Sequence, residues 1–282
     1  MTIKYHRTMT MKFAVPAFML LLAACGSSQS GSATGAAGTP GSISISGSTA
    51  LLPLVKQAAV DYQNANPNVK ISVAGGGSRV GITQVAQRSV DIGDSDIPAA
   101  GEPSLVDHRV AVVTFGIVVN PQTGVKNLST AQIRGIFGGT ITNWSQAGGR
   151  SAPITVINRP RSSGTRAVLV QNILGGHEPS ESGLTQDSSG TVAAMVAQTP
   201  GAISYVGMAY VKPGSQIAVS IDGIAPADAN VLSGRYKYWS FEHMFTNGQP
   251  GAQVAGFIQY VTNDTALLSR LKFIPAARIK PI

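Results

Sequence analysis

Three short clusters of glycine and hydroxylated residues are the first places in this sequence where chemistry could occur: Gly47-Ser48-Thr49-Ala50, Gly75-Gly76-Gly77-Ser78 and Ser162-Ser163-Gly164-Thr165. Each follows a strand-like run and precedes a helix-like one. The first turn of a helix has unpaired N–H groups and the positive end of the dipole, so it is a natural seat for an oxyanion. Ser and Thr hydroxyls add donors without adding charge, and glycine lets the backbone come close to a ligand. One such cluster alone reads as an ordinary N-cap. Three in the same local context point toward a shared anion. None fits G-x-x-x-x-G-K-[ST], so a nucleotide P-loop is not supported.

Two charged residues extend the pattern. Arg159 follows an expected strand and stands four residues before Ser163; its planar fork suits a tetrahedral oxyanion. Asp96 ends the run Asp91-Ile92-Gly93-Asp94-Ser95-Asp96. A carboxylate in an anion site makes sense once protons are counted. Hydrogen phosphate still carries an O–H that a carboxylate accepts, whereas sulfate has none and is repelled.

The elements that must position these groups follow from periodicity. Ser42 to Ser46 alternates like a strand, and Leu51 to Asn64 has helical spacing. Val69 to Ala74 is a second expected strand, Arg79 to Arg88 a helix, and Asp91 to Gly93 a short strand. Strand, small-residue turn and helix in succession specify a parallel sheet flanked by helices, in which ligands sit at the strand C-termini. The apolar run Arg109 to Asn120 reads as a strand crossing between two lobes, with Gly116 as a candidate bend. Ser129 or Thr130 caps a helix that ends at Phe137. Strands are expected at 154–158 and 202–206, and helices at 166–174, 192–198, 256–263 and 266–271. The aromatic stretch from Tyr236 to Met244 returns toward the first lobe.

Composition narrows the classes. The 282 residues are 43% hydrophobic and only 12% charged, which suits a secreted α/β protein better than a charge-rich helical one. Lys4, Arg7 and Lys12 precede an apolar stretch from Phe13 to Ala24, shorter than the roughly 20 residues of a membrane-spanning helix, so 1–24 reads as a leader. The leader contains no acid, and without it +5 remains of the formal +8. That balance is compatible with an anionic ligand. No basic run interleaved with aromatics supports nucleic-acid binding. Cys25 is the sole cysteine, which excludes an intrachain disulfide. Residues 26–41, rich in Gly, Ser, Thr and Ala, read as a flexible tether. The histidines, His6, His108, His177 and His243, have no metal-ligand spacing, and Ser163 lacks G-x-S-x-G. No catalytic residue, metal or cofactor is expected.

Taken together these words resemble the phosphate-binding component of bacterial Pst-type ABC importers, in its short lipoprotein form. The resemblance runs from about Ile43 to the C-terminus. It is carried by Gly47-Ser48-Thr49-Ala50-Leu51-Leu52-Pro53-Leu54, by Asp91 to Asp96, and by Arg159-Pro160-Arg161-Ser162-Ser163-Gly164-Thr165-Arg166. A further match, Leu128 to Gly139 followed by Asn143-Trp144, looks structural. Leu22-Ala23-Ala24-Cys25 resembles a lipobox, which implies lipidation of Cys25 and a stable membrane anchor.

The resemblance implies a type II periplasmic-binding-protein-like α/β fold with two lobes. Each would be a mainly parallel sheet flanked by helices, joined by crossing hinge strands. Lobe 1 would comprise 42–116 and 235–282, and lobe 2 would comprise 117–234. Phosphate would be held by Ser48, Thr49, Ala50, Leu51, Ser78 and Asp96 from the first lobe, and by Arg159, Ser163, Gly164 and Thr165 from the second. A monomer outside the cytoplasmic membrane would deliver it to the permease subunits of an ABC importer. The competing readings are a sulfate, molybdate or tungstate binder, and an adhesion or signalling lipoprotein on the same fold. Two departures from the family pattern stand out. Asp94 and Arg161 carry charges where relatives have a small residue and an acid, and they are expected to face each other across the cleft. Arg79, after the serine, is expected to face solvent.

Overall fold

The computed structural model describes residues 41–279; the expected leader and Cys25 lie outside the described residues. The elements run in the order β1 (Ser42–Gly47), α1 (Leu52–Ala65), β2 (Lys70–Gly75), α2 (Ser78–Ala86), β3 (Ile92–Ser95), β4 (Leu105–Val119), β5 (Asn127–Leu128), α3 (Thr130–Phe137), β6 (Thr155–Asn158), α4 (Gly164–Asn172), β7 (Leu184–Thr185), α5 (Ser189–Gln198), β8 (Ala202–Gly207), β9 (Ile217–Ala218), β10 (Ser220–Ile221), α6 (Asp228–Leu232), β11 (Trp239–Asn247), α7 (Ala252–Asn263), α8 (Thr265–Arg270) and β12 (Phe273–Pro275). This is the mixed α/β class the periodicity implies, with a mainly parallel sheet near each candidate cluster.

One sheet has the path β2-β1-β3-β11-β4-β8-β6-β7, with β12 and β9 also joining β4. Parallel pairing sets Ile43 opposite Ile71 and Ile45 opposite both Val73 and Ile92. Because β1 lies between β2 and β3, the chain leaves it first to one side and then to the other. A crevice opens at the C-terminal ends of strands wherever such a reversal occurs. The same device recurs at β6, which is parallel to both β7 and β8. The candidate residues follow the ends of β1, β2 and β3 in one strand group, and of β6 and β7 in the other.

β4 joins the two groups. Leu105–Thr114 pairs with β11, and Phe115–Val119 pairs with β8. The change of partner falls between Thr114 and Phe115, close to the expected bend at Gly116. Every residue from Val110 to Val119 is buried, which is why the sequence there is a continuous apolar run without alternation. β11 enters antiparallel between β3 and β4, so the C-terminal segment returns to the first strand group as the aromatic stretch suggests.

Local capping sets the helix starts. Ser129 accepts from Gln132 N (3.1 Å) while Gln132 Oε1 accepts from Ser129 N (2.8 Å), a reciprocal capping box on α3. Ser129→Ala is expected to cost about 1 kcal/mol of unfolding free energy, read from denaturant melts. Trp144 is fully buried and donates Nε1–H to Gly201 O (2.9 Å), the structural role expected of that stretch.

Candidate functional site

The chain after β1 turns at Ser48, whose hydroxyl accepts from Ala50 N (3.0 Å) and Leu51 N (3.1 Å) at the start of α1. The same hydroxyl donates to Asp96 Oδ1. Asp96 follows β3, and its N–H donates to Ser78 Oγ (2.9 Å). Ser78 is the first residue of α2, and its hydroxyl, which accepts from Asp96 N–H, does not cap the helix. Three strand ends of the first group thus converge on one residue, Asp96.

The second group meets it there. Thr165, in the first turn of α4, donates Oγ1–H to Asp96 Oδ2 (2.7 Å). Arg159, following β6, reaches across: Nη2 donates to Thr49 Oγ1 (3.0 Å) and Nη1 to Ser189 Oγ (3.0 Å). Arg159 is 1% exposed and its Nε has no acceptor, so a strong donor is buried there without a partner. Burial pulls the Arg159 pKa below the usual arginine value, and the Asp96 charge opposes that shift. Ser163 caps α4 by accepting from Arg166 N (3.2 Å), which orients the N–H groups of that first turn.

Two glycines permit the contact between the groups. A Cβ on Gly77, whose φ is +94°, would lie 2.7 Å from Ser162 O. A Cβ on Gly164 would overlap Ser78 Oγ and lie 2.9 Å from the Asp96 Cβ. All the residues expected from sequence — Ser48, Thr49, Ala50, Leu51, Ser78, Asp96, Arg159, Ser163, Gly164 and Thr165 — are buried.

Other residues complete the arrangement. Ser189 opens α5; its N–H donates to Thr49 Oγ1 (3.1 Å) and its hydroxyl receives Arg159. The sequence Asp187-Ser188-Ser189-Gly190 before a helix carries the same signature as the three clusters and could have marked it. Arg166 is 4% exposed, donates Nη1–H to Arg159 O (2.7 Å) and pairs with Glu178 (2.7 Å), bracing the turn that carries Arg159. Tyr205 Oη accepts from Arg159 N (3.1 Å), and burial pushes its phenol up to about 12.

The expected pairing of Asp94 with Arg161 is not found. Asp94 is 1% exposed and neither carboxyl oxygen meets a donor. Arg161 lies at the surface and pairs with Glu178 (3.4 Å) and Glu181 (3.2 Å) instead. Those two acids sit on the same side of the molecule, so an exposed arginine reaches them without entering the interior. Arg79 is exposed as expected, and its Nε–H donates to Arg161 O (3.1 Å).

Among the described residues no His/Cys/Asp/Glu group is arranged to hold a metal ion, and no helix is long and apolar enough to cross a membrane. A family model described as a PBP superfamily domain matches residues 32–265. The phosphate-binding protein PstS of Bacillus subtilis (strain 168) is 41% identical, over 94% of this chain and 92% of its own length. The PstS of Borreliella burgdorferi is 26% identical over 79% of this chain and 85% of its own. Among solved structures, a Clostridium perfringens protein described as a phosphate ABC transporter substrate-binding protein, with phosphate bound, matches with a TM-score of 0.79 at 28% identity. That match covers 83% of this chain and 99% of the other.

Proposed function

Because the chain belongs to the PBP superfamily, and within it to the phosphate-binding PstS proteins of bacterial ABC importers, we propose that it captures inorganic phosphate outside the cytoplasm and delivers it to an importer. The observation that carries this reading is the meeting of Arg159 and Asp96, one buried cation and one proton acceptor, among hydroxyls from both strand groups. That set matches hydrogen phosphate in charge and in its single remaining proton.

In this reading the strand groups on either side of the Thr114–Phe115 step are the two lobes, 42–116 with 235–282 and 117–234. Phosphate binds first at Ser48, Thr49, Ala50, Leu51, Ser78 and Asp96. Lobe 2 then closes, bringing Arg159, Ser163, Gly164 and Thr165 over it, so that hydroxyls, backbone N–H groups and the guanidinium replace the anion's water. The hydroxyls that now donate to Asp96 turn toward phosphate, and Asp96 accepts the phosphate O–H. The role is binding without catalysis. Lipidation of Cys25 would anchor a monomer to the membrane, and the closed form would dock on permease subunits.

Calorimetry of the purified protein with phosphate, arsenate and sulfate tests the reading. Phosphate and arsenate, which both keep a proton, are expected to bind, and sulfate to fail. Sulfate binding equal to that of phosphate would remove the role of Asp96. Closure has its own test. Gly164→Ala places a methyl group against Ser78 only when the lobes meet, so it is expected to cost about 1–3 kcal/mol of the closed state. Affinity for phosphate then falls roughly five- to a hundred-and-fifty-fold, while thermal unfolding without ligand changes little. Unaltered affinity would place Gly164 outside the closing contact.

A further inference from the structure

We propose that Glu242 is a specificity-determining residue of this same site: it is held as a neutral acid that hydrogen-bonds Asp96, and it confines tight phosphate binding to the pH range in which its proton stays. The inference rests on the phosphate-binding reading and deepens it by naming a group behind the one that accepts the phosphate proton.

The placement comes from sheet register. β11 runs antiparallel to β3 with His243 opposite Ser95 and Met244 opposite Asp94; Glu242 is the next residue of β11, near enough to Asp96 for their charges to interact. Glu242 is fully buried, and Asp94 and Asp96 are each 1% exposed, so three carboxyl groups share one patch of interior. No N–H or O–H donor reaches either oxygen of Glu242 or of Asp94. After burial, the Asp96 charge is the neighbour that bears most on Glu242. Two neighbouring carboxyl groups held out of water do not both stay ionised, so one of the pair is an acid. Asp96 already accepts hydroxyls from Ser48 and Thr165, which leaves Glu242 as the proton carrier.

Among the described residues no cation compensates Glu242. Arg159 is the buried cation of the site, and its charge interacts with Asp96. On β4, Asp107 is bonded to His243, Arg109 lies over Phe241, and His108 is bonded to Thr246. On α2, Arg79 is at the surface against Arg161 O. From the segment after β8, the Tyr210 hydroxyl donates to Thr49 O. Burial, followed by the charges of Asp96 and Asp94, holds the Glu242 carboxyl well above the ordinary carboxylate range, and burial followed by Asp96 does the same to Asp94.

The charge balance then has a functional reading. With protons on Glu242 and Asp94, Arg159 faces only the Asp96 charge, and an anion enters an environment close to neutral. One oxygen of Asp96 accepts from Glu242, which turns the other toward the phosphate O–H. Loss of the Glu242 proton removes that donor and puts a second negative charge beside the ligand. Phosphate affinity falls as a result.

Glu242→Gln tests this, because the amide keeps the shape and the donor to Asp96 but cannot ionise. Inorganic phosphate is titrated into the full chain and into the variant by calorimetry at neutral pH and at the highest pH at which both proteins remain folded. The wild-type ratio of affinities between the two pH values is expected to exceed the variant's by about ten-fold or more. Equal ratios alongside normal phosphate binding would overturn this inference alone. Absence of phosphate binding by the wild type would overturn the underlying reading and this one with it. Infrared spectroscopy needs no ligand and no altered protein. The C=O stretch of a protonated carboxyl group is expected in the folded wild type at about pH 7, where ordinary carboxyls are ionised. It should weaken in Glu242→Gln. No such band, or one of equal intensity in both proteins, would overturn the assignment.

Stability gives a sign that agrees. A carboxyl whose pKa is raised by folding destabilises the native state progressively as pH rises above its unfolded value. Glu242→Gln is therefore expected to melt at a higher temperature than the wild type at alkaline pH, with the difference shrinking toward acid.

Discussion

Arg159→Met is expected to lower phosphate affinity by between about a hundred-fold and a few thousand-fold, or ~3–5 kcal/mol. The side chain is 1% exposed, its Nη atoms donate to the neighbouring hydroxyls of Thr49 and Ser189, and Nε has no acceptor. Methionine fills comparable volume but leaves the phosphate charge buried against Asp96 without a cation. Arg159→Lys retains the charge and loses the planar fork, so it is expected to fall between the two. Calorimetry checks the affinity, and thermal unfolding without phosphate separates loss of binding from loss of fold. A methionine variant weakened less than ten-fold would remove Arg159 from the site.

Asp96→Asn is expected to act on selectivity more than on affinity. Losing a charge-assisted hydrogen bond from the phosphate O–H costs about 1.5–3 kcal/mol, roughly a ten- to a hundred-fold loss. The amide no longer repels a fully ionised anion, so sulfate binding should rise in the same protein. The ratio of phosphate to sulfate affinity, measured by competition at one pH, therefore falls from both sides. The Asn side chain keeps an acceptor for Ser48 or Thr165 and so preserves the local packing. An unchanged ratio would mean that selection against sulfate resides elsewhere in the cleft.

Much of the candidate site was legible because its signals are local. Ser48, Ser78 and Ser163 each stand where an alternating or apolar run gives way to helical spacing, and that transition is written within about ten residues. The turns of the first strand group lie close together in the chain, and parallel pairing of β1 with β2 and β3 brings their ends to one edge. Arg159 and Asp96 were legible through chemistry, since an anion that keeps a proton needs both a cation and an acceptor.

The partners of charged residues were not legible. Asp94 and Arg161 have opposite signs, but pairing depends on which side chains share a dielectric. Asp94 points into the interior, whereas Arg161 stays at the surface with Glu178 and Glu181. Glu242 was hidden more deeply. Within Trp239-Ser240-Phe241-Glu242-His243, strand alternation alone would turn the acid toward water. In the fold β11 lies inside the sheet, between β3 and β4, with that face also packed over, and the acid has no exposure.

By itself, then, the sequence determined the succession of strands and helices, the small polar turns between them, and the kinds of donor and acceptor those turns present. These follow from backbone preferences and side-chain chemistry that act over a few residues. Tertiary structure alone decided that the turns of the two strand groups meet, that Ser189 and Arg166 support Arg159, and that three carboxyl groups lie together out of water. The reason is physical: the energy of a charge is set by what surrounds it in space, and those neighbours come from strands far apart in the chain.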